Sequence, residues 1–128
     1  MSRTVLIVDD SKLARMIACN ALAKLRPDWT SVEAGDTQQA MDAVLNRHVD
    51  IALIDLNMPG EGGLALATDL RRKRPDMPIA VITANVQDEV VARVRALDAT
   101  FVPKPLTEDA LSTFLTGANL KLRRVGSV

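Results

Sequence analysis

Two adjacent carboxylates, Asp9 and Asp10, follow directly on the apolar run Thr4 to Val8. A third, Asp55, closes a second run, Ile51 to Ile54, and Lys104 stands just past a short third one, Phe101-Val102. Short apolar runs read as buried strands, and polar residues at their ends reach the rim of a sheet. Gathering like charge at one rim costs Coulomb energy that packing does not require. The three acids and the lysine therefore read as a site, with a cation to offset the cost. Mg²⁺ suits it best, because it is hard, takes oxygen ligands, and works with one or two carboxylates plus a phosphate.

The elements that must position these groups alternate along the chain. Strands are expected at Thr4 to Val8, Thr30 to Ala34, Ile51 to Ile54, Ile79 to Ile82 and Thr100 to Val102. Helical patterns lie between and after them. The first spans roughly Lys12 to Leu25 and is stopped by Pro27. The second is opened by a capping box, Asp36 with Gln39 three residues on. The third follows a Pro-Gly loop, Met58 to Gly63, and carries Leu66, Ala67 and Leu70. The fourth shows Val90, Val91, Val94 and Leu97. The fifth shows Ala110, Leu111, Phe114 and Leu115, with Gly117 as its expected stop. Five βα units imply a parallel sheet with helices on both faces and right-handed crossovers. Ligands of such sheets bind beyond the carboxyl ends of the strands, where strand order reverses. Asp9, Asp10, Asp55, Thr83 and Lys104 all fall at such ends.

The totals narrow the class. A chain of 128 residues with 48% hydrophobic content fits one domain with an ample core. Sixteen basic residues balance sixteen acidic ones, so no global field points to nucleic acid or membrane. The single cysteine, Cys19, excludes a disulfide framework and reads as a small filler on an apolar helix face. With no membrane-spanning stretch and no signal-peptide pattern, the expected location is the cytoplasm. The expected division is a domain over residues 1–118 and a weakly patterned tail over 119–128.

In order along the chain stand Asp9-Asp10-Ser11, then Asp55 followed by Met58-Pro59-Gly60, then Thr83-Ala84, then Lys104-Pro105 with Phe101 three residues earlier. Each is weak alone. Together, at the ends of the right strands, they resemble the response-regulator receiver domains of the CheY type over about residues 4 to 116. The resemblance implies a (βα)5 flavodoxin-like three-layer fold with sheet order 2-1-3-4-5. It also implies a two-component switch rather than a turnover enzyme. Asp55 matches the phosphoacceptor, which takes a phosphoryl group from a histidine kinase or a histidine phosphotransfer protein. Mg²⁺ would be held by Asp10, Asp55 and the main-chain carbonyl of Asn57, with Asp9 acting through a water. Lys104, Thr83 and the amide of Ala84 would contact the phosphoryl group. The Lys104–Pro105 bond is cis in the family. Thr83 and Phe101 would form the switch that remodels the face of the fourth helix, fifth strand and fifth helix, where a downstream protein binds. Asn57 and Asn85 occupy positions that tune hydrolysis. A monomer is expected, with dimerisation on phosphorylation left open.

Other residues depart from this pattern or bear on rival readings. Many relatives carry Asp-Gly where this chain has Gly62-Gly63, which reads as a more mobile loop. Many carry Gly where it has Asp98, a residue that tolerates left-handed backbone less well than Gly but better than most. An aspartate-nucleophile phosphatase of the haloacid dehalogenase type would need an acid at Asn57, which cannot exchange a proton. A flavodoxin-like or nucleotide-binding module would need a glycine- or hydroxyl-rich loop after the first strand, and Asp9-Asp10-Ser11-Lys12 repels phosphate unless a metal is present. A pseudo-receiver would typically lack an acid or the lysine. A receiver cut from a larger effector-bearing regulator is a further alternative. Arg71-Arg72-Lys73-Arg74 closes a helix, where cations suit the dipole, and carries no nucleic-acid assignment. His48 reads as a surface residue remote from the acids, and Trp29 as packing near the second strand.

Overall fold

The computed structural model describes residues 2–58 and 62–126. Residues 59–61 of the Pro-Gly loop lie outside the described residues. Five strands, β1 (Thr4–Val8), β2 (Thr30–Ala34), β3 (Ile51–Asp55), β4 (Ile79–Thr83) and β5 (Thr100–Pro103), form one sheet of order β2-β1-β3-β4-β5. Every pairing is parallel. The helices are α1 (Lys12–Leu25), α2 (Thr37–Asn46), α3 (Gly62–Lys73), α4 (Asp88–Ala96) and α5 (Glu108–Gly126). The chain steps outward from β1 to β2, then returns past it to β3. The β1–β3 gap is thus the point where strand order reverses, and Asp9, Asp10 and Asp55 lie beyond its carboxyl end.

Strict alternation sorts the apolar side chains into two layers. Leu6, Val8, Ala52, Ile54, Ile79 and Val81 join Ala40, Leu66, Leu70 and Val94 under α2, α3 and α4. Val5, Ile7, Ile51, Leu53 and Ala80 join Ala18, Leu22, Leu111 and Leu115 under α1 and α5. The three inner strands β1, β3 and β4 are almost wholly apolar because both their faces are covered, whereas the edge strands β2 and β5 carry exposed residues. Strands β3 and β4 run one residue past their apolar runs, so Asp55 and Thr83 are strand residues.

Local chemistry sets the element ends. Ser11 caps α1, its hydroxyl accepting from the Ala14 amide at 3.2 Å. Asp36 caps α2 by accepting from the Gln39 amide at 2.8 Å, and Gln39 Oε1 accepts in return from the Gly35 amide at 2.8 Å. The return bond goes one residue upstream of the capping residue itself.

Two expectations are corrected. Gly117 does not stop α5, which continues to Gly126 as one helix through most of the expected tail. A helical glycine costs about 1 kcal/mol against alanine. Buried Ala118, Leu122 packed on the α1/α5 layer, and the Arg3 Nε to Asn119 Oδ1 hydrogen bond of 3.1 Å offset that cost. Gly62-Gly63 also belongs to α3 rather than to the loop before it. Gly62 opens α3 at φ +42, and a Cβ on Gly63 would come within 2.7 Å of Leu56 Cα and closer still to the Asp55 carbonyl oxygen. The second glycine is a close contact between α3 and the end of β3. Asp98 holds φ +55, a left-handed conformation that aspartate tolerates better than most residues other than glycine.

Candidate functional site

The site is assembled from four strand ends, those of β1, β3, β4 and β5. Asp9 leaves β1 with its amide donating to the Ala34 carbonyl at 3.1 Å. Its carboxylate accepts from the Ser11 amide at 2.9 Å, and its carbonyl accepts from Arg15 Nη1 at 2.6 Å. Asp9 therefore makes the ordinary turn contact of a strand-end aspartate and still faces the acids. Asp55 closes β3 with 3% of its surface exposed. One oxygen from each of Asp9, Asp10 and Asp55 lies within 4.8 Å of the others.

Lys104 supplies the opposing charge. Its amide donates to the Thr83 carbonyl at 2.9 Å, which fixes the backbone beside β4. Its Nζ lies 2.9 Å from Asp55 Oδ1. The Lys104–Pro105 peptide bond is cis. Asp55 Oδ1 also accepts from the Asn57 amide at 3.3 Å. Thr83 is fully buried, with its hydroxyl accepting from the Asn85 amide at 3.0 Å. Ala84 and Asn85 are exposed, and Phe101 is half-buried against the layer under α4. By alternation Thr83 follows Ile79 and Val81, whose layer Phe101 also meets, and Phe101 is in register with Val81. Thr83 and Phe101 thus share one face of the sheet on adjacent strands.

Three carboxylates face one lysine, and Asp9 shows the strain. Burial pushes its carboxyl above the ordinary aspartate range. The Ser11 amide opposes this, Asp55 adds to it, Lys104 opposes, and Asp10 adds again. The folded state holds this proton to higher pH than the unfolded chain does. Stability therefore falls as pH rises from the ordinary aspartate range through the raised value, and stays lowered above it. Asp9→Asn should raise the urea midpoint of the metal-free protein at pH 7. The gain should vanish on acidification below the ordinary aspartate range. A midpoint unchanged or lowered at pH 7 would contradict the account of an Asp9 carboxylate disfavoured first by burial and then by its acidic neighbours. An all-oxygen donor set with surplus negative charge fits a hard divalent cation.

The family of response regulator receiver domains matches residues 5–116. The chain belongs to that family. The receiver is 36% identical over 124 residues to the response regulator MprA of Mycobacterium sp. (strain KMS), covering 94% of this chain and 50% of that protein. It is 31% identical over 104 residues to the DNA-binding transcriptional regulator NtrC of Klebsiella pneumoniae, covering 80% and 22%. The receiver thus spans half or less of the length of these two curated relatives. Among solved structures, the chemotaxis protein CheY4 of Vibrio cholerae superposes with a TM-score of 0.83 at 24% identity, covering 92% of this chain and 99% of that one. The signal receiver domain of an HD domain-containing protein from Pseudomonas fluorescens Pf-5 gives 0.85 at 20% identity, with both chains fully covered. Both likenesses establish the CheY-like fold, and the family places the chain in two-component signalling.

Sequence reasoning missed the contacts of three residues: Arg15 and Gly63 beside the site, and Arg71 at the opposite end of the sheet. The first and third donate to main-chain carbonyls, which no side-chain pattern reveals. A tandem glycine before an apolar helix face was the available signal for Gly63. His48 is exposed as expected, and its Nε2 lies 2.8 Å from Oδ1 of buried Asp50, whose Oδ2 accepts from the Thr4 amide at the opposite end of the sheet. No helix among the described residues is long and apolar enough to cross a membrane.

Proposed function

We propose that this receiver is a cytoplasmic phosphoacceptor switch. It takes a phosphoryl group onto Asp55 from the phosphohistidine of a sensor histidine kinase or a histidine phosphotransfer protein. The observation that carries the reading is the buried Asp55 carboxylate, 2.9 Å from Lys104 Nζ and gathered with Asp9 and Asp10. A carboxylate oxygen of Asp55 attacks phosphorus, the phosphorus–nitrogen bond breaks, and the imidazole leaves with its electron pair. Such transfer is mainly positioning and neutralisation of charge on the phosphoryl oxygens. Asp10, Asp55 and the Asn57 carbonyl would hold Mg²⁺, with Asp9 acting through a water. Bound there, the ion would supply positive charge to the phosphoryl oxygens.

Lys104 exchanges its partner, from the Asp55 carboxylate to a phosphoryl oxygen. The Thr83 hydroxyl and the Ala84 amide donate to the others. Thr83 shares its sheet face with Phe101, so a shift of Thr83 toward the site empties space that Phe101 can fill. A local charge event then biases a two-state face of α4, β5 and α5 toward a protein target. Phe101 carries no hydroxyl, so its outward state offers apolar surface alone. Hydrolysis by water resets the switch, at a rate tuned by Asn57 and Asn85.

Intact mass after incubation with acetyl phosphate tests the reading. One phosphoryl adduct is expected with Mg²⁺, none with EDTA, and none in Asp55→Asn. An adduct that persists in Asp55→Asn would place the chemistry elsewhere. Failure of both acetyl phosphate and a phosphohistidine donor, with Mg²⁺ bound, would reduce the chain to a binding module.

A further inference from the structure

Arg15 stands outside the acid cluster, yet it touches the loop that carries two of its members. The residue lies on α1, and its side chain is mostly covered, at 17% exposure. Nη1 donates to the Asp9 carbonyl at 2.6 Å. Nε donates to Glu33 Oε1 on β2 at 3.1 Å. Gly35 leaves the fork its room, since a Cβ there would come 3.3 Å from Nη1. One guanidinium thus ties the first turn of α1, the end of β1 and the neighbouring strand β2 together. A planar fork with fixed donor directions does this, whereas a lysine ammonium is a point donor on a flexible stem.

The tie opposes a definite force. Asp9 and Asp10 stand on one short loop facing Asp55, and their mutual repulsion favours splaying that loop outward. Main-chain contacts are what resist it: the Asp9 amide on Ala34 from one side and Arg15 on the Asp9 carbonyl from the other. We propose that Arg15 is a positioning residue for the divalent-cation cradle, acting through the Asp9 main chain to hold the Asp9 and Asp10 carboxylates together. This rests on the cation-binding reading given above.

The sign of the effect separates positioning from plain electrostatics. Arg15 is a cation beside an anionic site. If only its charge mattered, removing it would tighten Mg²⁺ binding. If it positions the loop, removing it weakens binding. Partners that orient metal ligands typically contribute 10- to 100-fold in affinity.

The experiment is calorimetric titration of the whole chain with MgCl2, with thermal melts in EDTA alongside. Arg15→Gln is expected to raise the Mg²⁺ Kd about tenfold or more, with little change in the EDTA melt. Arg15→Lys keeps the charge and is expected to weaken binding less. A Kd unchanged or lowered in Arg15→Gln overturns the proposal. Should that variant fail to fold, Arg15→Lys decides alone: a raised Kd supports positioning, and an unchanged one overturns it. Wild-type protein that binds no Mg²⁺ would instead overturn the cation reading itself, and this inference with it.

Discussion

Gly63→Ala is expected to lower the unfolding free energy by about 2 kcal/mol or more and to slow acetyl phosphate labelling of Asp55. The added methyl has nowhere to go. Its carbon would overlap the Asp55 carbonyl oxygen, with Leu56 Cα at 2.7 Å and the Asp55 carbonyl carbon at 2.9 Å. All three are backbone atoms at the end of β3. That strand is pinned by β1 on one side and β4 on the other, so the overlap cannot be relieved by rotating a side chain. Alanine's helix preference returns about 1 kcal/mol at most. Because the strained atoms belong to Asp55 itself, the damage should reach the site. Urea denaturation measures the first effect, and intact-mass time courses the second. Wild-type values in both would show that α3 slides away from β3 at no cost, contrary to the packing described.

Arg71→Ala is expected to cost about 3 kcal/mol. The guanidinium donates Nε to the Leu97 carbonyl at 2.8 Å and Nη2 to the Asp98 carbonyl at 3.0 Å. Nη1 serves the carbonyls of Arg74, Pro75 and Met77 at 3.2, 3.0 and 2.7 Å. Two loops, one after α3 and one after α4, are closed by a single side chain. Hydrogen bonds from a charged donor contribute more than neutral ones, and truncation would leave half-buried carbonyls short of partners. The same contacts hold the left-handed turn at Asp98 in place. Arg71→Lys should recover little, because one ammonium cannot reach both loops. Arg72→Ala, one residue on and exposed, should stay within about 0.5 kcal/mol of wild type. Thermal melts of the three variants check the ranking, and equal losses at Arg71 and Arg72 would sink the argument.

The fold was legible wherever burial dictates composition. Parallel strands covered on both faces must be apolar throughout, so Thr4–Val8 and Ile51–Asp55 announced themselves. Their polar neighbours then fell at the rim, which brought Asp9, Asp10, Asp55 and Lys104 onto one end of the sheet before any coordinates. Local capping at Ser11 and Asp36 was readable for the same reason: donor and acceptor lie within three residues. What escaped was anything decided at a distance. Gly117 looked like a stop because its helix cost is local, while the contacts that outweigh it come from Arg3 and the α1/α5 layer. Gly63 looked like slack because the atoms it must avoid belong to β3. Arg71 read as one more cation suited to a helix end because its carbonyl partners leave no trace in residue type.

The alternation of side chains across the sheet has one more consequence. Asp55 follows Ile51 and Leu53, whose layer lies under α1 and α5, whereas Thr83 and Phe101 belong with the layer under α4. Along its length the sheet is therefore a partition, with Asp9 and Asp55 following one layer by parity and Thr83 and Phe101 the other, and the two sides meet beyond the strand ends, where the acids gather. Away from that end, packing changes in one layer reach the other only through strand backbone, so their effects on stability should nearly add. Substitutions under α4 can therefore reshape that surface and leave the packing under α1 and α5 as it was.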